Sequence, residues 1–285
     1  MSDSTAKMVS DMRLVGRYVP SDPHYCPDAP TVAKSLEVFR ASPRFQSCVA
    51  RQEGPVDCLF QGYTSPKNAD ALRDTLSGLG ITNTGIVAVD QIHLPQVYAE
   101  LGVPMPDIEF VHANACALGS HLDDRKFDFI VQDFILNCLA PGAAPALLTE
   151  AKRHLKPDGA MLVSFSADVR APAARTKTLA ALLEDWPHFH RPLAGGLHDV
   201  ARDNAELEDM KTRLSGHSIF DAQTGHLTHV TNPSGQFEFF VPKAEVIDMF
   251  CNAGFEISIA GVQTEVDYND LECTRYRIIA SHAAP

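Results

Sequence analysis

The hydrophobic pattern of the chain changes near residue 55. Residues 1–54 are polar and interrupted by prolines, with helical periodicity from Thr31 to Arg40 but no strand pattern. From Pro55 onward, short apolar runs alternate with segments of helical periodicity, which is typical of a parallel sheet with crossover helices. The sequence therefore predicts an N-terminal helical segment over residues 1–54, outside the main core, and an α/β domain over residues 55–285.

Seven apolar runs in the α/β domain predict seven strands. They cover Val56–Gln61, Ile86–Val89, Ile108–His112, Phe127–Val131, Met161–Phe165, the segment after Gly254 and Tyr276–Ala280. The helices between them run from Ser65 to Gly80 and from Leu94 to Leu101, or carry apolar stripes such as Leu147, Leu148, Ala151 and Leu155. This alternation predicts a doubly wound, mostly parallel seven-stranded sheet with helices on both faces.

The segment LKPDGAMLVSF, Leu155–Phe165, carries the most specific local signal. Pro157 cannot continue the preceding helix, and Gly159 is expected to supply a left-handed turn. The apolar run from Met161 is too short for another helix, so it predicts a buried strand. A helix that leads through a tight turn into such a strand is half of a βαβ unit.

The order changes after Ser166. Residues 168 to about 215 are polar and partly helical in pattern, and a hairpin is expected around Gln223–Gly225. We therefore predict an insert over about residues 168–237 that caps the sheet.

Composition excludes several classes of function. The formal net charge of −12 argues against a nucleic-acid surface, which needs clustered lysine and arginine. Seven cysteines without paired short spacing favour reduced core thiols, and twelve histidines show no ligand spacing for a metal. The N-terminus lacks an apolar signal core, and no run reaches the roughly 18 apolar residues of a membrane span. A soluble, cytoplasmic protein is expected.

Two segments resemble one known family. The LKPDG junction and the later segment VPKAEVIDMFCNAGFEI are similar to the "LKPGG" junction and the late helix and strand of class I S-adenosylmethionine-dependent methyltransferases. The resemblance covers roughly residues 55–165 and 238–282. It implies a Rossmann-like fold whose last strand is antiparallel, a transferase activity and S-adenosylmethionine as the cofactor. The acidic surface and the capping insert favour a small-molecule acceptor, and a homodimer is an open expectation.

Candidate site residues follow from the rule that ligands of doubly wound sheets bind beyond the carboxyl ends of the strands. Asp90 ends the second strand, where the family's acidic residue accepts hydrogen bonds from the ribose hydroxyls, about 28 residues after Gly62. The family's glycine-rich loop is reduced here to Gly62, and Tyr63 and Thr64 are expected to crowd the cofactor. This departure puts the usual pose of the cofactor in question.

The resemblance implies roles for further residues. Asn114 is expected to bind the adenine amino group, and Asp133 and Phe134 lie in the segment along the methionine half of the cofactor. Asn137 is expected to orient the reacting group. The N-terminal segment is expected to close over the pocket as a lid. The complete set is Gly62, Tyr63, Thr64, Asp90, Gln91, Asn114, Ala115, Asp133, Phe134 and Tyr18 for the cofactor, and Asn137, Tyr25 and Ser166 for catalysis, without a metal.

The residues and the family resemblance leave three functions open. The first is methyl transfer to a small molecule, which needs alignment and exclusion of water rather than a strong catalytic dyad. The second keeps the cofactor but attacks a different carbon, cyclising the aminocarboxypropyl group to azetidine-2-carboxylate and releasing methylthioadenosine. The third is a binding module on a degenerate methyltransferase fold, since fold does not fix function.

Overall fold

The computed structural model describes Val9 and residues 30–63, 65–139, 142–170, 229–231, 237–239, 242–266 and 272–283. The helices are α1 (Ala33–Ala41), α2 (Pro43–Val49), α3 (Lys67–Ser77), α4 (Leu94–Leu101), α5 (Gly119–Leu122), α6 (Ile135–Cys138), α7 (Ala144–His154) and α8 (Lys243–Asn252). The strands are β1 (Val56–Gln61), β2 (Thr84–Asp90), β3 (Glu109–His112), β4 (Phe127–Asp133), β5 (Leu155–Arg170), β6 (His229–Thr231), β7 (Phe237–Phe239), β8 (Phe255–Val266) and β9 (Glu272–His282).

Seven of these strands form one sheet in the order β3-β2-β1-β4-β5-β9-β8. Strands β1 to β5 pair in parallel, whereas β9 is antiparallel to both β5 and β8. The strand order reverses between β1 and β4, which creates a switch point where ligands of such sheets bind. The predicted mostly parallel seven-stranded sheet is confirmed.

Each face of the sheet carries its own layer of helices, because side chains alternate along every strand. Phe60, Ala88, Val131 and Leu162 are buried on one face with residues of α1 to α4. The neighbouring positions, such as Leu59, Val87, Ile130 and Val163, are buried on the other face with residues of α5, α7 and α8. Helices therefore cover both faces, as the sequence predicts.

The helices α1 and α2 belong to the core, so the expectation that the N-terminal segment lies outside it is wrong for residues 30–49. Phe39 and Phe45 are almost completely buried, and the Phe45 ring meets that of Phe129 edge-on, with 5.3 Å between centroids. Helix α1 packs against α3, β8 and β9. Val9 is buried in the same cluster, whereas Tyr18 and Tyr25 lie outside the described residues.

The LKPDG junction differs from its prediction. Strand β5 begins at Leu155, directly after α7, and Gly159 does not adopt the predicted left-handed conformation. Glycine is needed there for space, since a Cβ atom would lie 2.7 Å from the backbone oxygen of Asp128. Lys156 also binds Asp128, with its Nζ 2.8 Å from each carboxylate oxygen, where the pairing of β4 with β5 shifts register.

Only two short strands of the predicted insert are described. Strands β6 and β7 pair antiparallel, and β7 lies beside α6. The hairpin predicted around Gln223–Gly225 lies outside the described residues. None of the described helices is long and apolar enough to cross a membrane.

Candidate functional site

Strand pairing brings six residues into one row across the sheet, level with the carboxyl ends of β2, β3 and β4. His112 pairs with Asp90, Asp133 pairs with Ser164, and Ser164 pairs with Arg277. Gly62 follows the pairs Gln61–Val89 and Phe60–Val131 and so lies level with Asp90 on one side and with Asp133 on the other. We call these residues the carboxyl-end row: His112, Asp90, Gly62, Asp133, Ser164 and Arg277.

Members of the carboxyl-end row share the sheet face that carries Phe60 and Ala88, because paired residues on neighbouring strands point to the same face. Gly62 leaves a gap in the middle of the row. Its φ angle is +80°, and a Cβ atom would lie 3.1 Å from Cδ1 of Ile135, so a larger residue meets both strain and crowding. The gap separates Asp90 and Asp133 by two strand spacings, about 10 Å.

Asp90 is the best-anchored carboxylate of the row. Its Oδ1 accepts a hydrogen bond from the Ile92 N–H at 2.8 Å, and its Oδ2 accepts one from the Tyr63 N–H at 3.2 Å. Burial raises the pKa of Asp90 to about 6, although these N–H donors lower it. Each carboxylate oxygen keeps capacity for another donor, which suits two vicinal hydroxyls.

Tyr63 does not crowd the site, and that expectation is wrong. Its side chain is fully buried, its hydroxyl donates to the Pro66 carbonyl at 2.9 Å, and its ring meets Phe60 edge-on at 5.4 Å. The contribution of Tyr63 is therefore its backbone N–H, which orients Asp90. Thr64 lies outside the described residues.

The residues predicted beside adenine flank the β2 and β3 ends. Gln91 and Asn114 are exposed. The Gln91 carbonyl lies 2.8 Å from Nε2 of His112, which fixes this segment to β3. Asn114 Oδ1 accepts from the Cys116 N–H at 2.9 Å, so part of its acceptor capacity closes a turn. Ala115 is buried, and its carbonyl accepts from Nε2 of Gln61 at 3.4 Å.

Among the described residues, the hydrogen bonds to Asp133 all reach one carboxylate oxygen. Its Oδ1 accepts from the Ser164 hydroxyl and from the Ser35 hydroxyl, the latter at 3.3 Å. Ser35 lies on α1, and its oxygen accepts from Nε of Arg277 at 3.3 Å. Both serines and Arg277 are buried, whereas Asp133 is half-buried. The N-terminal helix and three strands thus cooperate to fix one carboxylate.

Phe134 adopts the left-handed conformation with φ +62°, which is uncommon for a residue other than glycine. Its N–H donates to the Ser164 carbonyl at 3.0 Å, and the guanidinium carbon of Arg275 lies 3.8 Å above its ring centre. Such strained positions concentrate at functional sites, because the surrounding structure must enforce them.

Asn137 and Ser166 are directly joined. The Asn137 Nδ2 donates to the Ser166 carbonyl at 2.8 Å, and its Oδ1 accepts from the Ser166 N–H at 2.9 Å. Both residues are buried. Since both polar atoms of the amide bind the β5 backbone, the geometry suits a residue that positions the end of β5.

The sequence reasoning missed Ser35, Ser164 and Arg277. Ser164 lies inside an apolar run and Arg277 directly precedes one, which is the available signal, since a buried polar group needs a partner. The same signal marks Gln61 and Gln132, whose side chains bond at 2.6 Å. Ser35 carries no signal of this kind, because its partner lies 98 positions along the chain.

The fold and the row define a class: doubly wound α/β proteins with an acidic residue after β2 and a glycine gap after β1. Residues 78–163 match the family model described as a methyltransferase domain. None of the curated protein sequences matches the chain.

Several solved structures are similar to the chain. A chain from the complex between a methyltransferase activator of Haloferax volcanii and a candidate methyltransferase is 12% identical, with 100% of each chain covered and a TM-score of 0.52. An S-adenosylmethionine-dependent methyltransferase of Methanosarcina mazei is 14% identical over 82% of this chain and 96% of its own, with a TM-score of 0.49. The 1,6-didemethyltoxoflavin-N1-methyltransferase of Burkholderia thailandensis is 15% identical over 99% and 90%, with a TM-score of 0.47.

Residues 78–163 thus match a methyltransferase domain, and the seven-stranded sheet has the fold of class I S-adenosylmethionine-dependent methyltransferases. This assignment confirms the resemblance seen in the LKPDG junction and in the late helix and strand. The domain match agrees with the predicted class of enzyme, a transferase, and with S-adenosylmethionine as the predicted cofactor.

Proposed function

We propose that the protein transfers a methyl group from S-adenosylmethionine to a small-molecule acceptor. The observation that carries this proposal is the gap at Gly62 between two carboxylates, Asp90 and Asp133, at the switch point of the sheet. A cofactor with ribose hydroxyls at one end and positive charge at the other matches that arrangement of groups.

The residues present fit the cofactor. Asp90 offers acceptors for the two ribose hydroxyls, and its carboxylate is already oriented by the N–H groups of Tyr63 and Ile92. Gln91, Asn114 and Ala115 would border the adenine, as the superfamily implies. Gly62 supplies the space in which a Cβ atom would stand.

The cofactor supplies an electrophilic methyl group on a sulfonium, so the protein's own task is alignment and exclusion of water. Phe134, held beneath Arg275, provides an apolar wall beside Asp133. Asn137 fixes the end of β5 through Ser166, where an acceptor would approach.

A small acceptor is supported by charge and by shape. The formal net charge of −12 disfavours a polyanionic substrate such as nucleic acid. Strand β7 lies beside α6, which brings the inserted hairpin next to the segment that follows β4. We also propose that the protein is cytoplasmic and that it forms a homodimer.

One observation favours the alternative, in which the aminocarboxypropyl group cyclises to azetidine-2-carboxylate. The β1 loop contains a single glycine, and the Tyr63 N–H already binds Asp90. This donor is therefore committed, and a different pose of the methionine tail would expose a different carbon to attack.

Analysis of the nucleoside product tests the proposal. The purified protein is incubated with S-adenosylmethionine alone and with pooled small-molecule nucleophiles, and the nucleoside is identified by mass spectrometry. S-adenosylhomocysteine that forms only with an acceptor supports methyl transfer. Methylthioadenosine that forms without an acceptor, together with azetidine-2-carboxylate, replaces methyl transfer by the alternative.

A further inference from the structure

We propose that Asp133 is the base that takes a proton from the methyl acceptor, and that Ser35 and Ser164 position it. This inference rests on the proposed methyl transfer and adds the chemistry of its acceptor. The juxtaposition behind it is one carboxylate at the end of β4 whose two oxygens have different surroundings.

The two carboxylate oxygens of Asp133 have different hydrogen-bond partners. Oδ1 of Asp133 accepts from both Ser164 and Ser35, two buried hydroxyls. Within the described residues no hydrogen-bond donor reaches Oδ2. Asp133 is half-buried while both of its partners are buried, and we infer that its exposed part includes Oδ2, at the carboxyl end of β4.

The direction of the two hydrogen bonds at the Ser35 hydroxyl follows from which groups can donate. A serine hydroxyl has one hydrogen, so Ser35 cannot donate to two acceptors. Arg277, which is only a donor, gives its Nε–H to Ser35, and the Ser35 hydrogen is then directed to Asp133. The buried guanidinium thereby fixes the orientation of the hydroxyl, and through it the orientation of the carboxylate.

The position of Asp133 relative to Asp90 determines which part of the cofactor Asp133 would face. Asp90 and Asp133 stand on the same face, two strands apart, on either side of Gly62. Two strand spacings are about 10 Å, a distance that carries a cofactor from its ribose past the sulfur. With the ribose on Asp90, the Oδ2 atom of Asp133 therefore lies on the side of the transferred group.

The proposed chemistry balances without another reactant. The attacking atom of the acceptor, a nitrogen or oxygen that bears a hydrogen, forms the new bond to the methyl carbon. The carbon–sulfur bond breaks and its electron pair stays on sulfur, while the proton of the acceptor passes to Oδ2 of Asp133. The acceptor is therefore a compound whose attacking atom bears a hydrogen, such as an amine, N–H heterocycle or hydroxyl compound, rather than a thioether or a tertiary amine.

Binding of two nucleosides tests the position of Asp133 without a known acceptor. Sinefungin carries an amine in place of the transferable methyl, whereas S-adenosylhomocysteine has nothing there. In calorimetry, Asp133→Asn should weaken sinefungin about tenfold or more, the scale of a hydrogen bond to a charged group, and S-adenosylhomocysteine less than about threefold. Ser35→Ala should lower the same preference for sinefungin by about threefold.

Glu37→Gln is the matched control, because Glu37 is an exposed carboxylate on the same helix as Ser35 and its neutralisation changes the net charge equally. It should leave both affinities unchanged. Melting temperatures identify any variant that does not fold, and Ser35→Ala carries the test if Asp133→Asn does not.

Two results would overturn the inference. Equal losses for sinefungin and S-adenosylhomocysteine, with methylthioadenosine binding unchanged, would place Asp133 on the cofactor's ammonium instead. Unchanged binding of all three nucleosides would remove Asp133 from the site. Failure of the unaltered protein to bind S-adenosylhomocysteine is a separate result, since it contradicts the proposed function itself.

Discussion

Asp90 combines a proposed cofactor-binding position with an unfavourable charge. Burial raises its pKa from the ordinary 3.8 to about 6, so ionisation is harder in the folded protein than in the unfolded chain. The stability contributed by Asp90 is therefore fully present below about pH 4 and is lost as the pH rises through 6. A carboxylate kept ionised at neutral pH against this cost is consistent with selection for binding rather than for stability.

Replacing Asp90 separates these two effects. We expect Asp90→Ala to weaken binding of S-adenosylmethionine by about 1–3 kcal/mol, because the ribose hydroxyls lose a charged acceptor. Calorimetry on the folded variant measures this change. Unchanged affinity would remove Asp90 from the cofactor site.

The pH dependence gives a second test of Asp90. As the pH falls from 7 to 5, the unaltered protein should bind S-adenosylhomocysteine about threefold or more weakly, since the protonated acid is a poorer acceptor. Asp90→Asn should lack this dependence and should gain stability over the unaltered protein as the pH rises. Parallel titrations and denaturant unfolding at both pH values measure the two effects. Identical pH profiles would contradict the assignment.

Asn137 tests the difference between a positioning amide and a reacting one. Asn137→Ala removes two buried hydrogen bonds to the backbone of Ser166, which should cost about 1–3 kcal/mol of unfolding free energy. Turnover per folded molecule should fall less than tenfold if the amide only positions β5. Melting temperature and initial rate on one preparation decide this, and full stability with a larger fall in rate would restore the catalytic role.

At the scale of elements, the α7–β5 junction depends on close contact between backbones. A methyl group at position 159 would lie 2.7 Å from the Asp128 carbonyl and 2.8 Å from Cδ1 of Leu155. Gly159→Ala should therefore destabilise the protein by about 1–3 kcal/mol through overpacking. Gly80→Ala is a useful comparison, because its position is open but has a φ of +96°, so only backbone strain is added. Equal melting temperatures for the unaltered protein and Gly159→Ala would contradict the argument.

The elements were predictable where local pattern decides them. The bounds of β1 and α4 agree with the prediction, because periodicity and flanking residues determine both. The conformation of Gly159 was not predictable, since its crowding comes from β4 rather than from its own segment. Tyr63 was misplaced for a similar reason: a side chain after a strand can turn inward when a core position is open to it.

At the scale of the whole molecule, the N-terminal helices complete the core. Phe45 is fully buried and its ring contacts that of Phe129 on β4. Phe45→Ala should cost about 3–5 kcal/mol of unfolding free energy, as do other large-to-small core changes. Denaturant unfolding measures the loss, and a cost below about 1 kcal/mol would show that these helices are peripheral.

The candidate site was predictable only in part. Asp90, Gly62 and Asp133 follow predicted strands, so the switch-point rule finds them. The partners of Asp133 could not be found in this way, because Ser35 and Arg277 come from opposite ends of the sequence and meet only once the sheet exists. Residue contacts of that kind are fixed by topology rather than by any local pattern.

The same contact bears on how the chain is made. The Ser35–Arg277 bond spans 242 positions, and Arg44 reaches Ser281 across 237. During synthesis, α1 and α2 leave the ribosome long before β9 exists, and the contacts of α1 with β8 and β9 cannot form until almost the whole chain has emerged. Proteins with many contacts between residues far apart in the sequence fold slowly, and they expose hydrophobic surface while they fold. We therefore expect chaperones to bind the nascent chain. Helices α1 and α2 and strand β9 should pack together late in folding.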